Sequence, residues 1–88
     1  MKISSEFVVK KIGGSFYAVP LSKNPAIGNG MIKLNETAHF MWQKISEGLN
    51  IEEIADTVCT EYAVDRETAI NDIRAFADQL RKVGVLEG

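Results

Sequence analysis

Side chains able to do covalent chemistry are few in this 88-residue chain: one histidine, His39, one cysteine, Cys59, and twelve carboxylates against ten basic groups. A catalytic pair needs a nucleophile and a base within hydrogen-bond reach. Cys59 falls on an apolar helical stripe with Ile51, Ile54, Ala55, Val58 and Tyr62, where a thiol packs as a small hydrophobe. His39 falls off the stripe of Ala38, Met41, Trp42 and Ile45, at the rim of its helix. The acidic groups Glu52, Glu53 and Asp56, and Asp65 with Glu67, sit at helix starts, where a carboxylate complements the macrodipole. A glycine-rich phosphate loop and metal-ligand spacing are both absent from the sequence, and a single cysteine excludes an internal disulfide or a multi-thiolate metal site. The sequence therefore predicts no catalytic residue, no metal and no cofactor.

Composition narrows the classes further. With 45% hydrophobic and 25% charged residues the chain is an ordinary globular sequence, and its length holds a single domain, residues 1–88. Net charge is −2, divided unevenly: residues 1–49 hold six lysines against three glutamates, and residues 50–88 four basic against nine acidic groups. Nucleic-acid binding normally needs a clustered basic excess, so no nucleic-acid partner is expected. Residues 1–9 lack the apolar core of a signal peptide, and no run approaches the roughly 18 apolar residues of a membrane span. These features predict a cytoplasmic protein without a membrane partner.

The elements that position these residues change character near residue 35. Glu6 to Ile12 is β-branched and aromatic, Gly13-Gly14 supplies a two-residue turn, and Ser15 to Val19 returns as a second strand ending near Pro20 or Leu21. Ser22-Lys23-Asn24-Pro25 has turn chemistry, and Met31 to Leu34 forms a short third strand at the sheet edge. Asn35 caps a first helix stopped by Gly48, and Asn50 with Glu53 makes a capping box for a second. Asp65 caps a third helix running to about Val83, with Gly84 beyond it and a core stripe of Ala69, Ile73, Phe76, Leu80 and Val83. The fold class is α+β: a three-stranded antiparallel sheet followed by a three-helix bundle, βββααα, winged-helix-like.

Two functions suit this frame. A winged-helix DNA-binding transcriptional regulator is the alternative, motivated by the short turn between helices two and three, but helix two carries Glu52, Glu53, Asp56 and Glu61 with no basic residue. The favoured function is peptide capture. An edge strand presents unpaired amides and carbonyls that an extended peptide completes, and the same edge can pair with a second copy as a homodimer. Ile70 and Ala77, with Arg74 and Arg81 beyond them, form one flank of helix three that could wall the groove and attract acidic ligand side chains. Proline in place of Ile32 is expected to remove a donor from the open edge.

The run Leu34-Asn35-Glu36-Thr37-Ala38, followed by Trp42, Gly48, Ile54-Ala55, Tyr62, Asp72-Ile73, Phe76, Leu80 and Gly84-Val85-Leu86, resembles the PqqD-like family of pyrroloquinoline quinone biosynthesis and modified-peptide pathways. The resemblance implies a non-catalytic domain that binds the leader of a precursor peptide as an added strand and delivers it to a modifying enzyme, such as a radical S-adenosylmethionine maturase. By position it implies a peptide-binding groove of Met31, Ile32, Lys33 and Leu34 with Ile70, Ile73, Arg74 and Ala77. Asn50 stands where the family commonly has Thr or Ser, which keeps the capping chemistry, and the loop from Leu21 to Gly30 shows no motif match.

Overall fold

The computed structural model describes residues 2–21 and 31–87; the turn read at Ser22–Pro25 and the loop up to Gly30 lie outside them. Strands β1 (Lys2–Ile3), β2 (Phe7–Ile12), β3 (Ser15–Pro20) and β4 (Ile32–Leu34) precede helices α1 (Glu36–Ser46), α2 (Ile51–Tyr62) and α3 (Arg66–Lys82), and β5 (Leu86–Glu87) closes the chain. Gly13 and Gly14 take φ values of 58° and 84°, both left-handed, as a type I′ turn requires. That turn sets β2 against β3 in continuous register from Ile12↔Ser15 to Phe7↔Pro20. On its other side β3 pairs with β4 through Phe16↔Leu34, Tyr17↔Lys33 and Ala18↔Ile32, giving the antiparallel order β2-β3-β4. Three strands followed by three helices is the predicted fold class.

The pairing of β1 with β5 has no counterpart in the sequence reading. Lys2 lies opposite Glu87 and Ile3 opposite Leu86, and the Ser4 amide donates to the Val85 carbonyl at 2.7 Å. Strands of two residues are too short to show periodicity.

All three helices start on the predicted caps. Asn35 accepts from the Ala38 amide at 2.8 Å, Asn50 and Glu53 complete the reciprocal box at 2.8 and 3.0 Å, and Asp65 accepts from Thr68 at 2.7 Å. The core is built from the sheet face Phe7, Ala18 and Leu34, the α1 stripe Met41, Trp42 and Ile45, and Ile54, Ala55 and Val58 of α2. α3 adds Ala69, Ile73, Phe76, Ala77 and Leu80, and Val85 and Leu86 follow it into the interior. Val83, expected in that stripe, is instead 38% exposed, because it is the C-cap where the backbone leaves helical geometry; Val85 occupies the interior in its place. Cys59 is half-buried against the core, and no helix of the described residues is long and apolar enough to cross a membrane.

Leu80 has no exposed surface. Leu80→Ala should therefore destabilise the fold by about 2–5 kcal/mol through lost transfer energy and the cavity left behind, measured as a lower urea midpoint at unchanged m-value. The Thr68 amide, and then its hydroxyl, hold the Asp65 carboxyl below the ordinary aspartate range. A folded-state pKa lowered in this way contributes stability above the unfolded value, lost as pH falls through the folded value. Asp65→Asn, which keeps a cap oxygen without a charge, should flatten the acid limb of the stability profile measured by urea unfolding at successive pH values.

Candidate functional site

The groups with covalent reactivity are engaged in packing. The His39 ring stacks on Phe16 with centroids 3.8 Å apart and planes 11° from parallel. Tyr62 meets Phe40 edge-on at 5.4 Å, and desolvation first, then the nearby Glu36 and Glu61 carboxylates, raise its phenol above the ordinary value. Among the described residues no group of three or more His, Cys, Asp or Glu is arranged to hold a metal ion.

What the backbone offers at the β4 edge follows from the parity of the ladder. In an antiparallel pair, residues alternate between exchanging both main-chain hydrogen bonds and exchanging none. Ile12 and Ser15 close a two-residue turn, so they form a bonded pair, and alternation makes Lys10↔Tyr17 bonded as well. The Leu21 amide donating to the Glu6 carbonyl at 2.6 Å continues the same parity at the far end of the hairpin. Tyr17 therefore spends its N–H and C=O on β2, while Phe16 and Ala18 turn theirs toward Leu34 and Ile32 of β4. Lys33, opposite Tyr17, is left with both main-chain groups directed away from the sheet, unpaired among the described residues.

That edge looks across a groove of about 450 Å³ to α3. Ile32 and Lys33 form the strand side, Asn35, Thr37, Ala38 and Met41 the start of α1, and Asp72, Ala75, Phe76 and Gln79 the helical wall. Apolar and polar groups are mixed along it. Asp72 brings a negative charge to the helical wall, and neither it nor Lys33, whose side chain alternates to the outer face of the sheet, has an ion-pair partner among the described residues, whose pairs are Lys44–Glu47, Arg66–Asp56 and Arg81–Asp78.

The sequence-predicted site residues divide accordingly. Ile32 and Lys33 line the groove; Met31, beside them, is 55% exposed, and Leu34 points into the core. From α3 the structure does not bring Ile70, Ile73, Arg74 or Ala77 to the groove. Ile73 and Ala77 have no exposed surface, Ile70 is half-buried against the core, and Arg74 is exposed on the opposite flank. At about 100° per residue, Arg74 and Asp72 lie roughly 160° apart around the helix, one on each side of the buried stripe. Helix-wheel arithmetic locates that stripe but not which flank adjoins the sheet, which depends on how α3 packs over α1 and β4. The flank facing β4 carries a carboxylate and a phenyl ring where the sequence reading placed a guanidinium. It also changes the proline test: the Ile32 amide belongs to the bond with Ala18, and the open donor is that of Lys33.

Residues 21–86 match the protein family described as Coenzyme PQQ synthesis protein D (PqqD). Among solved structures, TbiB1 in complex with the TbiA(beta) leader peptide is similar over 100% of this chain and 96% of that one, with a TM-score of 0.83 and 33% sequence identity. Lasso peptide synthetase B1 complexed with the leader peptide shares the fold, with a TM-score of 0.82 over 99% of this chain and 96% of that one at 22% identity. No curated protein sequence matches this chain.

Edge parity is directly measurable. In amide hydrogen exchange followed by NMR, Lys33 should exchange as an open-edge amide while Ile32 and Leu34 are protected by the ladder to β3. Protection of Lys33 in the isolated protein would contradict the assignment.

Proposed function

This chain belongs to the PqqD family, and on that premise we propose that it is a non-catalytic recognition domain, spanning residues 1–88, that captures the leader segment of a precursor peptide and presents it to a modifying enzyme. The observation that carries this reading is the outer edge of β4, unpaired among the described residues, standing across a groove from α3. An extended peptide entering there would take the Lys33 N–H and C=O as its anchoring pair, while alternate side chains reach Ile32 and Phe76 in the groove. The fold shared with TbiB1, at 33% identity over the whole chain, supports the same use. A radical S-adenosylmethionine maturase is the class of enzyme we favour as the recipient, with the exchange taking place in the cytoplasm. Of the residues first assigned to the groove, Ile32 and Lys33 would touch the peptide and Met31 would flank it; Leu34, Ile73 and Ala77 would support it from behind. A homodimer formed through β4 would compete for the same backbone groups, so capture requires the monomeric edge.

Isotope-labelled protein titrated with synthetic precursor peptides encoded beside its gene should show amide shifts at residues 31–34 and at Asp72, Phe76 and Gln79. Affinity on the order of micromolar is expected for so short an interface. Shifts confined to the β2–β3 hairpin or to α2, or dimerisation that excludes every peptide, would overturn the proposal. Lys33→Pro removes the open donor while leaving the Ile32 and Leu34 amides in place, and should weaken peptide binding at least about tenfold with a small effect on the urea midpoint.

A further inference from the structure

The sheet register continues past its own edge. On the face turned away from the helices, Lys10 lies opposite Tyr17 and Tyr17 opposite Lys33, so these three side chains form one row across β2, β3 and β4. Both lysines are exposed. An antiparallel strand added to β4 extends that row by one place, and the guest residue in that place is the one that exchanges both main-chain bonds with Lys33. Its side chain then lies directly beside the Lys33 ammonium, which has no ion-pair partner among the described residues. Opposite charges in such a cross-strand position attract and like charges repel. The guest residues on either side of it point the other way, toward Ile32 and Phe76, with Asp72 on the helical wall.

We infer that the captured peptide is read by charge at one solvent-facing position, carrying Asp or Glu opposite Lys33, flanked on both sides by apolar or basic residues that meet the groove and Asp72. This inference rests on the strand-addition reading. It makes Lys33 the specificity-determining side chain as well as the backbone anchor, two roles that substitution separates.

A yeast-displayed library of random 12-residue peptides, sorted separately against the wild-type protein and Lys33→Glu, tests it. Wild-type selection should enrich peptides with one acidic position flanked by apolar or basic residues, and their binding should be abolished by Lys33→Pro. Against Lys33→Glu the same peptides should lose roughly three- to tenfold in affinity, and sorting should replace the acid by Lys or Arg. Lys10→Glu, two strands further in, should leave the selected acid in place. The Lys33 side chain is exposed, so the charge-reversed variant should retain the wild-type amide spectrum. Peptides abolished by Lys33→Pro but indifferent to Lys33→Glu would overturn the charge rule while leaving strand addition standing. Failure of the wild-type protein to select any peptide would overturn both.

Discussion

One constraint organises this molecule: every main-chain amide and carbonyl must find a partner or face water. The two-residue turn at Gly13-Gly14 decides how that constraint is met along the sheet, because it fixes which residues of β3 bond to β2 and which to β4. Once the parity is set, it propagates across two strands. It ends at a single residue, Lys33, whose main-chain groups face outward beside the groove that separates β4 from α3. The glycines at the hairpin tip thus determine the hydrogen-bonding pattern on offer two strands away.

The other wall of the groove is a product of core packing. α3 is anchored by Ala69, Ile73, Ala77 and Leu80, all without exposed surface, and the small alanines permit a close approach to its neighbours. With that stripe pinned inward, the rotational position of the helix is fixed and the flank bearing Asp72, Ala75, Phe76 and Gln79 is the one set against β4. Phe76 serves both sides of this boundary. It is 7% exposed within the core and still contributes surface to the groove. A ligand held against it therefore leans on the same packing that stabilises the fold.

Most of the architecture was legible in the sequence because its signals are local. Gly-Gly between β-branched runs, Asn35, Asn50 and Asp65 at helix starts, and apolar residues at helical spacing each act within a turn or two of chain, and all but Val83 appear where expected. The place of β4 at the sheet edge is a local signal of the same kind. Which flank of α3 lies across from it is not: Ile70 and Arg74 on one flank and Asp72 and Gln79 on the other border the same stripe, and only the tertiary placement of α3 distinguishes them. The β1–β5 pairing was hidden because each partner is two residues long and the match joins opposite ends of the chain. Ala63 is a smaller surprise: α2 ends there with φ of 54°, a left-handed conformation usually given to glycine.

The joining of β1 to β5 has a mechanical side. Because Lys2 is registered with Glu87, chain attached before the one and after the other would leave the domain from neighbouring points. A host protein could thus carry this fold as an insert, spliced in at a single place with little entropy spent on closing the gap. Tension between the two attachments would open the little ladder like a zipper, one rung at a time, rather than shearing all its bonds together.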